Sequence, residues 1–361
     1  MTLLILIVFL GAATLAMPIA HAILLAAMAA AVSSDRVPFD LLVQQMVAQV
    51  QSFPLIAIPF FMLTGSLMMG GKLGQAIVGT LTVLVGRWHG GPAQVSVLSS
   101  TLFGGVSGSA VADASAIGSL VMPWHRRLGY PMPFSAASLA SAATIDIIIP
   151  PSIPMILYAM SANASIGALF YAGILPGLIL CGGFMAACWY VGKRDNLPRE
   201  TAPTDRAEFR RNLVYSIPAI ALPILIIVFL RFGIATPTEV SVLSTLFAGL
   251  VSLVIYRDMT IRRLHHAILE AGLATGVVLM VIMASAAIGW LLTFDQMPQH
   301  IVQWVQANVN EKWVVIALMN AMMLFLGMFI DLPAAVLLLT PVFLPLAQAI
   351  GMDTVQLGIM M

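Results

Sequence analysis

Residues 104–154 read GGVSGSAVADASAIGSLVMPWHRRLGYPMPFSAASLASAATIDIIIPPSIP. Small and polar residues crowd the first part, Gly104 to Ser119, around a carboxylate at Asp113. The last part sets Thr144, Asp146 and the Pro150-Pro151 pair inside an apolar run. At membrane depth, broken backbone is tolerated only where it is buried in protein or lines a cavity. Ionisable side chains at that depth mark functional sites by default. The stretch therefore predicts two interrupted helical segments that carry the site.

Composition places the chain in a bilayer. Of its 361 residues, 60% are hydrophobic and 9% charged, with a mean hydropathy of +1.01. Soluble domains carry roughly 25% charged residues. The length allows about ten spans of ~20 residues each, so the fold class expected is an all-α polytopic membrane protein. A net charge of +1 points to no nucleic acid. The opening MTLLILIVFLG lacks the positive n-region of a cleaved signal peptide. Residues 2–32 are therefore read as one retained apolar helix, bent at Pro18. Cys181 and Cys188 share one apolar segment. Their separation of about 10 Å along a helix is too great for a disulfide, and both read as packing residues.

Working outward from 104–154, residues 33–53 are amphipathic and predicted to lie at an interface, and 54–70 spans. Residues 72–87, flanked by Lys72 and Arg87, are again read as interfacial. In 92–124 each arm is only about 12–14 residues long, too short to span, around the joint GGVSGS. Two such arms describe a re-entrant hairpin. The next helix, about 133–160, is interrupted at IIIPPSIP. A double proline removes two backbone donors and clashes with the preceding turn. Segment 166–192 crosses back. Residues 193–211 hold six of the sixteen Lys and Arg residues and are assigned to the cytoplasm. Spans follow at 212–231, 237–256 and 267–293, with a basic loop at 257–263 between the last two, and 295–312 falls outside.

The second half echoes the first. GMFIDLPAAVLLLTP at 327–341 stands where GSAVADASAIGSLVMP stood, with Asp331 218 residues after Asp113 (331 − 113) and Pro341 218 after Pro123 (341 − 123). Residues 1–192 and 212–361 are thus read as two inverted repeats joined by the loop at 193–211. Paired interrupted segments in opposite orientation point to a secondary transporter with a site near the bilayer midplane. The counterpart of Pro150-Pro151 would fall near 368–372, past Met361, so the second repeat is expected to be truncated.

Four motifs carry a family resemblance: FPLIAIPFFMLTGSLM at 53–68, LFGGVSGSAVADASAIG at 102–118, IIIPPSIPMILYA at 147–159 and GMFIDLPAAVLLLTPVFLPLAQAIGMD at 327–353. They resemble the large permease, DctM-like subunit of tripartite ATP-independent periplasmic (TRAP) transporters, over essentially the whole chain. The resemblance implies an ion-transporter-type fold of inverted repeats, re-entrant hairpins and broken helices that moves as an elevator. It implies sodium-coupled import of organic acids such as dicarboxylates, sialic acid or other sugar acids across the bacterial inner membrane. It also implies two partners, a small membrane subunit and a periplasmic substrate-binding protein. A one-component sodium–dicarboxylate symporter of similar fold is the alternative.

Sodium needs a cage of oxygens, which unwound backbone and the C-terminal ends of half-helices supply. The first tip (Gly105, Ser107, Gly108, Ser109) and the break (Thr144, Asp146, Pro150) are candidates for one ion site, and Gly327 at the second tip for another. A substrate carboxylate is expected near Ser109, Asp113, Ser152 and Asp331, against half-helix N-termini whose free N–H groups favour anions. Plainer readings stand beside these. Gly and Ser in membrane helices serve close packing. Asp113 and Asp331 can cap the second hairpin arm, Asp146 can pair with a neighbour, and His125, Arg126 and Arg127 suit a solvated anchor. Among non-transport classes, no GxxxxGK[ST] loop supports an ATP-driven pump. No HExxH or nucleophile elbow supports an intramembrane hydrolase, which would be left with Asp113 and Asp331 as an acid pair. No organic cofactor is expected, and the chain is not read as an enzyme.

Overall fold

The computed structural model describes residues 1–34, 37–69, 72–201, 206–308, 311–328 and 330–361; residues 69, 105–107 and 306 are described by backbone alone. Among the described residues the regular elements are all helical. The chain begins with α1 (Thr2–Thr14), α2 (Ile19–Val32) and α3 (Phe39–Val50), then α4 (Ala57–Met69) and α5 (Lys72–Val85). The central stretch forms α6 (Gly91–Ser107), α7 (Ala110–Arg127), α8 (Met132–Ala143) and α9 (Ile153–Ala162). Long helices follow: α10 (Ile166–Arg194), α11 (Arg206–Arg231), α12 (Pro237–Leu250, continued by a π-helical turn to Ile255) and α13 (Ile261–Phe294). The chain closes with α14 (Met297–Asn308), α15 (Lys312–Gly327), α16 (Leu332–Ala349) and α17 (Thr354–Met360).

Among the described residues, five helices are long and apolar enough to cross a membrane: α10, α11, α12 with its π turn, α13 and α16. A sixth span is possible if the bent pair 39–50 and 53–68 counts as one. Length alone allowed about ten. The difference arises because much of the remaining apolar sequence is cut into helices of 10–17 residues by prolines, glycines and tight turns. Residues 2–32 show this directly. Instead of one bent helix they form two short helices, α1 and α2, packed on each other. Pro18 disfavours the helical conformation at the residue before it. The Met17 N–H instead closes back on Ala12 O, with Ala16 at φ 57.

The residues fall into two compact units. One comprises 1–56, 154–169 and 273–361. In it α16 packs against α14, α15 and α17 and buries Phe343, Leu346 and Val336. The Thr2 hydroxyl donates to Asp295 Oδ2 at 2.7 Å, which fixes the start of α1 beside Asp295. The other unit comprises 57–153 and 170–272. Here α6 lies at the centre, against α4, α5, α7, α8 and α11. Cys181 and Cys188 are free thiols packed with Ala93, Val97, Ala142 and Ile145.

An internal repeat is written in the turns as well as in the sequence. Ser109 caps α7 and Asp331 stands at the start of α16, 222 residues later (331 − 109). Gly129 and Gly351 both adopt φ +70 at the same spacing. The Tyr130 N–H reaches His125 O at 2.9 Å, and the Met352 N–H reaches Ala347 O at 2.8 Å. Pro131 and Asp353, again 222 apart, precede α8 and α17. The register is therefore 222 rather than 218. The shorter spacing matches Pro123 to Pro341, but α16 also holds Pro345, and that residue occupies the structural place of Pro123. Asp113 consequently corresponds to Ala335, and Asp331 to Ser109.

Candidate functional site

The first hairpin is formed by α6 and α7, packed side by side. Its arms are 17 and 18 residues, longer than the sequence suggested, because Gly104 to Ser107 complete α6 instead of opening the tip. The turn is confined to Gly108 and Ser109. Gly108 takes φ +60, a left-handed conformation that costs a residue bearing Cβ about 1–2 kcal/mol. Ser109 begins α7, its hydroxyl accepting the Ala112 N–H at 3.5 Å. Gly105 and Ser107 belong to the last turn of α6; their side chains lie outside the described residues.

The helix expected at about 133–160 is indeed two, α8 and α9, separated by irregular residues 144–152 with a cis peptide between Pro150 and Pro151. Neither proline has an N–H to offer the carbonyls four residues earlier, those of Asp146 and Ile147. The Ser152 hydroxyl takes the place of one by donating to Ile147 O at 2.5 Å. Thr144 is exposed and its hydroxyl bonds Ser141 O at 2.7 Å, within its own helix end. Pro150 and Ser152 are buried.

Tip and break touch. A Cβ placed on Gly108 would stand 2.7 Å from Pro151 O and 3.5 Å from the Ile153 N. One on Gly104, a turn earlier, would stand 2.6 Å from both Cα and Oδ1 of Asp146. The two glycines form the flat strip against which the break lies. The C-terminal end of α6, whose last carbonyls lack helical donors, and the N-terminal end of α7, whose first amides lack helical acceptors, adjoin the break there. The arrangement offers oxygen ligands to a cation and N–H groups to an anion within one junction.

Behind the tip, Asp113 and Asp146 lie side by side, each 0% exposed, with Ser100 next to Asp113. Ser100 and Asp146 are the side chains that share hydrogen bonds with the Asp113 carboxyl, and the Ser99 hydroxyl is buried without a partner among the described residues. The neighbour foreseen for Asp146 is thus another carboxylate, not a cation. Asp113 does not cap α7, since Ser109 does. Ser99 and Ser100 were missed in the sequence; the paired hydroxyls in the middle of an apolar arm were their only signal.

His125 departs from the solvated anchor expected of it. It is 0% exposed, with Nδ1 3.0 Å from Ser135 Oγ and Nε2 3.0 Å from Pro92 O, tying the base of the hairpin to α8. Arg126 and Arg127 are exposed.

The second tip belongs to the other unit. α15 ends at Gly327, and Asp331 starts α16 exposed and without a side-chain capping bond. Gly327 lines an apolar cavity of about 120 Å³ with Ile330, Ala335, Val336 and Leu339. No buried carboxylate is found there among the described residues.

Comparison with known proteins agrees with this architecture. Residues 4–361 match the family described as tripartite ATP-independent periplasmic transporter, DctM component. The chain is 37% identical to the 2,3-diketo-L-gulonate TRAP transporter large permease protein YiaN of Escherichia coli, over 97% of this chain and 82% of that one. It is 32% identical to the sialic acid TRAP transporter large permease protein SiaM of Vibrio cholerae, over 98% and 82% respectively. The crystal structure of the Alcanivorax borkumensis YdaH transporter shares the fold, with TM-score 0.59 and 16% identity over 87% of this chain and 74% of that one. Relatives of this kind and the run of apolar helices make it a multi-pass protein of the bacterial inner membrane. Its interrupted hairpin, its proline break and a match over nearly every residue lead to one conclusion: the chain belongs to the DctM family, the large permease subunits of TRAP transporters.

Proposed function

We propose that the chain imports an organic acid, driven by sodium, after delivery by a periplasmic binding protein. A small membrane subunit completes the assembly. The observation that carries this reading is the contact of Gly108 with Pro151, which sets the turn between α6 and α7 against the proline break. Carbonyls from the ends of α6 and α8 hold the cation, and the amides opening α7 at Ser109 and α9 near Ser152 face the substrate carboxylate. The relatives' substrates, a diketogulonate and sialic acid, are both carboxylates on a polyhydroxylated carbon chain. That chemistry suits a dicarboxylate or sugar acid here. Movement of the junction from one side of the membrane to the other follows the elevator expected of the fold.

The test is uptake of labelled organic acids into proteoliposomes holding the chain and its small partner, with and without sodium and binding protein. Uptake that requires both additions supports the proposal. Sodium-driven uptake that ignores the binding protein would instead establish a one-component symporter. Ser109→Ala is expected to raise the sodium concentration needed for half-maximal uptake by about threefold, roughly the worth of one neutral ligand contact.

A further inference from the structure

Away from the junction, a cavity of about 370 Å³ opens between α5, the last turns of α7 and the first turns of α11. That volume falls within the range of small-molecule sites. Its apolar wall is made by Val78, Val83, Leu120 and Phe209. Its polar wall carries both signs of charge, with the guanidinium groups of Arg87 and Arg127 and the carboxylates of Glu200 and Glu208. The chain between α10 and α11 is strapped across one side. There the Glu200 N–H donates to Gly86 O at 3.1 Å, and Glu200 Oε2 accepts the Trp124 indole N–H at 2.9 Å. Arg127 and Glu208 are exposed and, among the described residues, belong to no ion pair. An apolar track leaves the cavity. From Phe209, α11 carries Leu213, Ile217, Ile220 and Ile224 at successive turns, all four exposed. Spacings of three and four residues place them on one face of the helix.

We infer that this cavity seats the headgroup of an ethanolamine phospholipid from the leaflet on the side of the 193–211 loop. Its phosphate lies at Arg87 and Arg127, its ammonium at Glu200 and Glu208, and an acyl chain follows Leu213 and Ile217 along α11. Guanidinium groups suit phosphate because their N–H donors match its oxygens. The balance of charge selects the rest of the headgroup. Two cations and two carboxylates match a ligand that carries a phosphate and an ammonium together. A glycerol headgroup would bring the carboxylates no cation, and a choline would bring a cation with no N–H to donate. Trp124, which also lines the cavity, has the amphipathic ring that favours the membrane–water boundary. A lipid held there would bridge α5, α7 and α11, which the cavity holds apart. The inference stands apart from the substrate and the coupling ion.

The test reads lipid retention, not uptake. The chain is purified in detergent, and native mass spectra are taken with added phosphatidylethanolamine, phosphatidylcholine or phosphatidylglycerol of matched acyl chains. The parent is expected to hold one phosphatidylethanolamine about tenfold more tightly than phosphatidylcholine. Arg127→Gln should weaken that lipid by about threefold to tenfold. Glu208→Gln should weaken it similarly and bring the two lipids within about twofold of each other. Both side chains are exposed, so neither variant removes core packing. Arg231→Gln, at the opposite end of α11, should retain the lipid as the parent does. Equal retention of phosphatidylethanolamine by the parent and both cavity variants would overturn the proposal. So would a preference for phosphatidylglycerol, or an equal loss in Arg231→Gln. Displacement of the lipid by an equal concentration of free phosphoethanolamine would also overturn it, by making the occupant a soluble zwitterion instead of a lipid.

Discussion

The two hairpins share a scaffold and differ in chemistry. Both open their second arm at the same register, both place a proline at the same point along it, and both close with a glycine at φ +70. The first then fills its interior with Ser99, Ser100 and Asp113 and keeps Gly104 for the approach of Asp146. The second has Ala321, Met322, Ala335 and Leu326 at those positions. Turn geometry has thus been retained where the chain must reverse, and side-chain chemistry has diverged where the helices meet their surroundings. The two hairpins share a frame without being a pair of equivalent sites.

Exchanging residues between the copies sharpens this contrast. Gly104→Leu gives the first hairpin the residue of the second and drives a side chain into the backbone of Asp146. A loss of about 3 kcal/mol in stability and of all uptake is expected, against under about 1.5 kcal/mol for Leu326→Met. Equal losses in thermal melts would erase the proposed asymmetry. Gly108→Ala is the next largest, about 2 kcal/mol, because it combines left-handed strain with a 2.7 Å approach to Pro151 O. Its check is the melting temperature together with sodium-dependent uptake.

Smaller effects separate the caps. Ser109→Ala removes a side-chain bond to the Ala112 N–H and should cost about 1 kcal/mol, read as faster hydrogen exchange in the first turn of α7. Asp331→Ala removes no such bond and should leave exchange at the start of α16 within about twofold. A large effect at Asp331 would show a capping role the geometry lacks.

The smallest effect lies outside both hairpins. The Thr2 hydroxyl holds the Asp295 carboxyl below its usual range. Because the folded pKa is depressed, this contribution is present above the ordinary value of 3.8 and fades as the pH falls through the folded one. For so exposed a carboxylate it is worth at most about 0.5 kcal/mol. Thr2→Val should flatten that part of the stability–pH curve, measured by melts between pH 2 and about 6.

The sequence revealed the features that depend on local chemistry. The double proline, the glycine-rich tip and the low charge each constrain the backbone directly, so the hairpin and the broken helix were legible. Two kinds of feature were not. Register depended on which of Pro341 and Pro345 matches Pro123, a choice settled only by where α16 begins. Partnership depended on tertiary approach: nothing in the spacing of Asp113 and Asp146, 33 residues apart (146 − 113), says that their carboxyl groups adjoin. His125 misled for the same reason, since a histidine beside two arginines reads as surface until the carbonyl of Pro92 is seen to meet it.

One more contrast between the copies concerns shape. The segment 39–68 is bent by 56° where its halves join, whereas its counterpart from Ile261 onward, 222 residues later, runs as α13 without a break for 34 residues. A rod of that length measures about 50 Å, some 20 Å more than the hydrocarbon layer is thick. It must lean steeply or extend past the lipid, and its charged end is the first turn and a half, IRRLHH, where Arg263 is tied to Asp258 at 2.7 Å and donates to Leu67 O at 2.8 Å. The bent copy needs no such overhang, because its first half can recline along the surface. The same stretch of fold thus serves once as a straight mast and once as a folded boom.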